Sequence, residues 1–588
     1  MESIQLAQLS TMSTKQSELL QTFTTLCATY KINLRINAWE DKTPFLPVSM
    51  DVEHDEQGNL VGMGFCKGND VWYFTEMRPN LKWLIEKGEF ICHNGKGDFD
   101  CLRQWGIAIR DEQLIWDTML MGHIIDSSLK TYGLKDMAKR ELGIEYPSYD
   151  DIVGKRTKKQ SQERVTLDKQ PLELVSMYNA MDCYATYKLY EKQSNTSNPY
   201  PGICDYFDEV EKPAALVFST MENRGISVDL AYLADLKKTL ETQQIPLCID
   251  IKKQLGDINL NSPKQLLGAL NAKGIYPTLK NKPSTDKRAL SGLRSTPIVE
   301  SLLSFSELET LLSSFVRPYI ERNEKVVHPF FNQCGTRTGR PSCSNPNLLQ
   351  IPRRTANGQL VRRMFVARQG MSMGDADFGQ IEPRVLAHLS GDPALCQLFN
   401  DSVDFHTYTA ERLGISRERA KILNLSVGYR ATFVSVMSQL GCDKDEAQTQ
   451  INNWWNLFPA LRRWQDRLIF ETKRSQFCTT LLGRRIKVDG LSNGNKWQRE
   501  AAERQLINNI TQGSAAEIMK RAMIDIAAGY PSCGLLCQIY DELLFEAPTN
   551  QIQSVSDYVI DKMVNSVKLV VPLTVDSGIG PNWAECKK

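Results

Sequence analysis

At 588 residues the chain is too long for one hydrophobic core and implies three or four domains. Hydrophobic content of 42% is ordinary for a globular protein, and no apolar run reaches the ~18 residues of a membrane span. A net charge of +1 excludes a globally basic polyanion binder, and 15 scattered cysteines without a CxxC pair argue for reduced thiols in a cytoplasmic compartment and against a zinc site.

Residues 1–45 are polar and Ser/Thr-rich, with a helical stretch predicted near 16–27. They show no signal-peptide core and too little Arg for a transit peptide. DVEHD follows residues 47–50 on a predicted strand, where Asp51 and Glu53 alternate and share one face. Alone, such a pair is more often a solvated strand edge. GMGFC (62–66) and VWYFT (71–75) continue as strands. FICHNGKGDFDCL (90–102) carries Asp98 and Asp100 on a short helix. In YNAMDCYATYKLY (178–190), Tyr178 and Asp182 are four apart and meet on one helix face.

The segment 151–170 is rich in Lys and Arg and reads as a solvated loop or as a basic flap near single-stranded DNA. SNTSNPYPG (194–202) is a polar linker and a domain boundary. Amphipathic helical patterns then run through 206–255 and 297–323. Residues 331–354, rich in Gly, Pro, Asn and Ser, form a loop carrying Arg337, Arg340, Arg353 and Arg354.

GMSM (370–373) reads as a buried strand, and Ile381, Val385, Leu386 and Leu389 recur at helical spacing. Between them Asp375 and Asp377 lie two apart on one strand face, where a carboxylate is well placed to hold a metal ion. Farther on, Arg417, Lys421, Leu425 and Tyr429 are spaced by four and predict one helical stripe about 18 Å long, cationic at one end and aromatic at the other. Residues 499–523 read as a long helix with Arg504, Asn508 and Gln512 facing one way. QIYDELLFEAP (538–548) predicts a β-hairpin with Asp541 and Glu542 at its bend.

Three of these stretches carry a resemblance. DFGQIEPR resembles motif A, RERAKILNLSVGYR motif B and YDE motif C of the DNA polymerase I family (family A), in the family's order. The earlier pieces resemble the 3′→5′ exonuclease domain of the same family, so the similarity spans roughly 47–583. It implies an α/β multidomain fold: an RNase H-like (DnaQ-type) exonuclease domain followed by a right-hand polymerase. The implied boundaries are an N-terminal extension 1–45, exonuclease 46–195, thumb 196–330, palm 331–390, fingers 391–510 and palm again 511–588.

The resemblance further implies roles. Asp51, Glu53, Asp98 and Asp182 are metal-binding acids, and Tyr178 orients the attacking water; Asp98 is preferred to Asp100 because Asn94 and Leu102 then also match. In the polymerase, Asp377 and Asp541 hold two Mg²⁺ ions, with Mn²⁺ as a substitute and Glu542 as a further catalytic acid. Asp377 is preferred to Asp375 because it keeps register with Gln380, Ile381 and Glu382. Two ions about 3.5–4 Å apart lower the pKa of the nucleophile and stabilise the leaving oxygen. Gln380, His406, Arg417, Lys421, Leu425 and Tyr429 bind the nucleotide, and Glu382 is the gate against a ribose 2′-hydroxyl. Arg340, Arg504, Asn508, Gln512 and Tyr540 contact DNA.

The expected function is template-directed DNA synthesis with 3′→5′ proofreading; the alternative is an exonuclease whose polymerase half is only a DNA-binding platform. Expected partners are primer-template DNA, dNTPs and replisome proteins (helicase-primase, single-strand binding protein), for a monomer in the cytoplasm. No room is seen for a thioredoxin-recruiting thumb insertion, nor for a 5′ nuclease domain ahead of residue 46, which suggests a bacteriophage replicative enzyme, with a truncated bacterial or organellar form as the alternative. Departures from the family pattern are Leu425 for an aromatic, Ser426 and Arg430 for glycines, Phe378 for Tyr, Gly379 for Ser and Tyr540 for His. Leu425 is expected to make the enzyme slower or more accurate.

Overall fold

The computed structural model describes residues 12–37, 47–154, 166–197, 202–279, 282–353, 355–530 and 533–586. Most of the basic stretch within 151–170, residues 198–201 of the 194–202 linker, and Arg354 lie outside the described residues.

The first half is built on a six-stranded sheet: β1 (Asn33–Ile36), β2 (Val48–His54), β3 (Leu60–Lys67), β4 (Asp70–Phe74), β5 (Phe90–Cys92) and β6 (Leu114–Asp117), in the spatial order β1-β4-β3-β2-β5-β6. β2 runs antiparallel to β3 and parallel to β5. Its alternation decides the faces. Val48, Met50 and Val52 enter one apolar core, while Ser49, Asp51 and Glu53 turn to the other face. There Ser49 Oγ donates to the Cys183 carbonyl at 2.7 Å, across to the long helix Leu172–Ser197.

Helix α1 (Thr14–Thr29) starts at a Ser13–Gln16 capping box and covers that long helix. In chain order the other helices used below are α2 (Lys96–Gln104), α3 (Leu172–Ser197), α4 (Lys212–Arg224), α5 (Leu230–Leu255), α6 (Pro297–Leu311), α7 (Ile381–Ser390), α8 (Phe405–Leu413), α9 (Arg417–Ser426) and α10 (Lys496–Gly529). The amphipathic pattern over 206–255 is not one helix. Gly225 takes a φ of +65°, where an added Cβ would meet the Val327 carbonyl at 2.8 Å, and strand Ile226–Val228 separates α4 from α5.

In the second half β7 (Met371–Phe378), β8 (Gly534–Ile539), β9 (Glu542–Pro548) and β10 (Val575–Gly580) form an antiparallel sheet in the order β8-β9-β7-β10. Gly374 permits this packing, because a Cβ there would sit 2.2 Å from the Phe545 ring. Phe218 and Met221 of α4 and Ile226 lie in the same core as Ala376, Leu543 and Phe545. Residues 212–228, within the expected thumb, thus share a core with these strands, as do Leu233, Leu236 and Leu240 of α5. The thumb's own core begins with Ile251 and Leu255 of α5 and closes on Leu302 and Leu303 of α6.

A single helix, α10, spans two cores. Leu506 and Ile510 enter the fingers cluster, and Ile518 and Met519 the palm cluster. Ala502, Leu506, Ile507 and Ile510 keep helical spacing, and so do Ile518, Ala522 and Ile526, so both stripes need only one continuous helix.

Candidate active sites

Asp51 and Glu53, sharing a face of β2, meet Asp182 from α3: their ligand oxygens all lie within 4.8 Å of one another. Asn179, one residue past Tyr178, donates Nδ2 to Asp51 Oδ2 at 2.7 Å. Asp98 accepts from the Val52 amide at 3.1 Å, which brings it against the same strand. Asp100 turns away: Ser219 of α4 donates to it, and Arg103 lies 3.7 Å off. Burial, then the charge of Asp182, pushes Asp51 up to about 7. Burial and the neighbouring Asp51 likewise raise Glu53 and Asp98. Tyr178 is buried; Tyr146 donates its hydroxyl to Asp182 Oδ1 at 2.7 Å. Crowded carboxylates held apart from water are costly unless a cation joins them. A set of hard oxygens without His or Cys suits Mg²⁺ or Mn²⁺ rather than a soft metal.

The second centre sits on the four-stranded sheet. Register sets Asp377 of β7 opposite Glu542 of β9 and Asp576 of β10. The Phe378 amide donates to the Asp541 carbonyl at 3.0 Å, so the hairpin bend lies directly beside Asp377. Burial and the charge of Asp377 push Asp541 up to about 6. Arg353 lies 2.9 Å from Asp377 and 4.0 Å from Glu542. Glu542 is also 3.6 Å from Arg362 and accepts from Trp583 Nε1 at 2.9 Å. That web makes Glu542 a brace, with Asp377 and Asp541 nearer the surface. Asp375 is fully buried, and its charge bears on both arginines.

Beyond the end of β7, α9 is tied in through Asp404. Arg417 pairs through Nε and Nη2 with Asp404 at 3.1 and 3.2 Å, and Gln380 Nε2 donates to the same carboxylate at 3.3 Å. His406, on α8, takes a hydrogen bond from Asn424 Nδ2 at 3.0 Å, and burial lowers its pKa. Lys421 and Leu425 continue along α9, Leu425 with 54% of its surface exposed. The predicted stripe is cut short, however. The α-helix ends at Ser426, and Tyr429 stands on a 3₁₀ turn, Val427–Tyr429, closed by Arg430 in the left-handed region. Tyr429 donates to Glu382, which also takes Arg340 Nη2 at 2.5 Å; Arg340 in turn lies 6.0 Å from the ring of Tyr540. Glu382 thus joins the 331–354 loop to the fingers. Arg504, Asn508 and Gln512 follow one face of α10, where Gln512 Nε2 donates to Asn508 at 3.3 Å.

Several participants carried no signal in the sequence. Lys135, Tyr146 and Arg362 reach their sites from distant segments. Asn179 and Asp404 had one, each lying within three residues of a named site residue.

An acid cluster on a mixed sheet, joined to a second pair of acids facing a cationic helix, defines the class: an exonuclease fold coupled to a polymerase fold, both suited to phosphoryl transfer. Residues 230–585 match the family described as DNA polymerase family A and residues 38–196 the one described as 3'-5' exonuclease; the chain belongs to DNA polymerase family A. It is 33% identical to a DNA polymerase I of Chloroflexus aurantiacus over 522 residues, 84% of this chain and 54% of that protein. It is 37% identical to a thermostable DNA polymerase I of Thermus filiformis over 403 residues, 65% of this chain and 48% of that one. The chain thus spans about half the length of these curated relatives. A solved structure, described as the POL domain of Pol1 from M. smegmatis in complex with DNA primer-template and dNTP, aligns with a TM-score of 0.79 at 25% identity, covering 97% of this chain and 99% of that one.

Proposed function

We propose that this chain synthesises DNA on a primer-template from dNTPs and removes mispaired 3′ ends at its exonuclease centre. The observation that carries the reading is the β7–β9 register, which sets Asp377 beside the Asp541 bend, with Gln380 just beyond it joined through Asp404 to Arg417 at the start of α9. Family membership supports it, as does the separate Asp51–Glu53–Asp182 cluster.

Asp377 and Asp541 would hold the divalent ions of the polymerase centre; Asp51, Glu53, Asp98 and Asp182 those of the exonuclease. We take the ion to be Mg²⁺, which when bound supplies Lewis-acid stabilisation and a more acidic nucleophile. The protein's own part is positioning and charge. Arg417 and Lys421 hold the triphosphate, with Asp404 keeping Arg417 extended. Glu382, clamped by Arg340 and Tyr429, blocks the position of a 2′-hydroxyl. Arg340 and Tyr540 steady the primer end, and Arg504, Asn508 and Gln512 follow the duplex. Asp51 stays aligned through Asn179, and Tyr178 lies beside Asp182 to orient water.

The test is extension of a labelled primer on its template with Mg²⁺ and dNTPs. Wild type should extend, Asp541→Ala should only degrade, and Asp51→Ala/Glu53→Ala should only extend. A wild type that shortens the primer but never lengthens it would sink the polymerase half of the reading.

A further inference from the structure

Asp182 and Tyr178 share a neighbour outside the carboxylate set. Lys135 sits on a short helix, Leu134–Met137, packed against α3. Its Nζ donates to both Asp182 oxygens at 2.5 Å and to Tyr178 Oη at 3.0 Å. The ammonium also lies 4.3 Å from the Tyr178 ring centroid and 5.0 Å from that of Tyr146. An ammonium has three N–H donors and no lone pair, so these three acceptors use its whole capacity. Tyr178 is therefore an acceptor from Lys135, and its own O–H hydrogen must turn elsewhere. Both oxygens of Asp182 are engaged by a fixed positive charge, and Tyr146 adds a second donor to Oδ1.

We propose that Lys135 is a positioning residue of the exonuclease centre: it locks Tyr178 and Asp182 into one unit and opposes divalent-ion binding at that carboxylate. The proposal rests on the exonuclease reading above. Two consequences follow with opposite signs. Removing the ammonium frees Tyr178 and Asp182 to rotate, which slows excision, since small misplacement of a catalytic group costs rate. It also removes a unit charge that repels an incoming cation, which tightens ion binding. A lysine that merely supported the fold would, when lost, weaken both.

The experiment uses the full chain. Single-turnover excision of a labelled single strand is measured for wild type, Lys135→Met, Lys135→Arg, Tyr178→Phe and Lys135→Met/Tyr178→Phe. Mn²⁺ binding without DNA is followed by electron paramagnetic resonance in an Asp377→Ala/Asp541→Ala background, which removes the polymerase carboxylates. Lys135→Met should slow excision on the order of 100-fold while primer extension persists, and Mn²⁺ should bind roughly tenfold tighter. Lys135→Arg should recover part of the rate, and Lys135→Met should cost far less in the Tyr178→Phe background. Wild-type excision by Lys135→Met, or Mn²⁺ binding that is unchanged or weaker, overturns the proposal while leaving the exonuclease reading intact. A wild type that excises nothing overturns both.

Discussion

On the proposed reading, Leu425 is the residue whose substitution most directly changes what the nucleotide would meet. It lies on α9 between Lys421 and the Tyr429 turn, over half exposed, so no packing partner compels its size. Leu425→Phe should restore a flat ring beside the incoming sugar and base. Turnover and dideoxynucleotide use should rise several-fold with stability unchanged, as read by steady-state incorporation and a melting curve; identical kinetics in both proteins would show that the position is silent. Asp51 carries a different kind of cost. Its carboxyl is pushed from an ordinary 3.8 to about 7, first by burial and then by Asp182. The folded chain holds this proton more tightly than the unfolded chain, so ionising Asp51 removes stability as pH climbs through that window, and the loss is complete above about 7. With divalent ions chelated, Asp51→Asn should raise the melting temperature more at about pH 8 than at about pH 5. An equal gain at both would mean that charge crowding is not its source.

At the scale of elements, two departures from the family fall at element ends, one after α9 and one after β7. Arg430 takes a φ of +60°, a conformation costing a non-glycine residue about 1 kcal/mol. Its compensation is an ion pair with Asp466 at 2.8 Å, whose acid is half exposed. Such a surface pair is worth about 0–1 kcal/mol. Arg430→Gly should therefore be neutral to stabilising by about 0.5 kcal/mol in chemical denaturation; a loss above about 1 kcal/mol would mean that the pair outweighs the backbone term. Gly379 has a steric reason. A Cβ there would lie 2.5 Å from Thr574 Oγ1, while its amide donates to the Thr574 carbonyl at 2.8 Å. The family's serine fits only if that threonine turns.

Across the whole molecule, the two halves are held by a buried ionic knot. Glu211 Oε1 takes Arg484 Nη1 at 2.8 Å and Lys520 Nζ at 2.6 Å, and Arg484 Nη2 donates to His123 of the exonuclease half at 2.8 Å. Arg484, Lys520 and Glu211 are almost wholly buried. Burial alone would raise the Glu211 carboxyl, but Lys520 and Arg484 outweigh it and hold it to about 2. The stability it contributes is present above the ordinary 4.5 and is lost as pH falls toward 2. Glu211→Gln strands two cations in the interior and should cost about 3–5 kcal/mol in urea unfolding. Because the knot spans both halves, excision and extension should lose thermal resistance together. A variant losing only one would show that the halves are not coupled here.

The sequence by itself determined the strands and helices that bear chemistry. Alternation sent Asp51 and Glu53 to one face of β2, four-residue spacing paired Tyr178 with Asp182, and the hairpin pattern put Asp541 at a bend. These signals are legible because backbone period is local, and the family motifs add order and spacing to it. Tertiary structure alone decided the rest: that Lys135 and Tyr146 close on Asp182, that Arg353 meets Asp377, that Asp100 is taken up by Ser219, and that residues 212–228 share a core with β7 and β9. Each depends on segments tens to hundreds of residues apart arriving at one place. No local pattern encodes such a meeting, since it is set by packing of the cores that carry those segments.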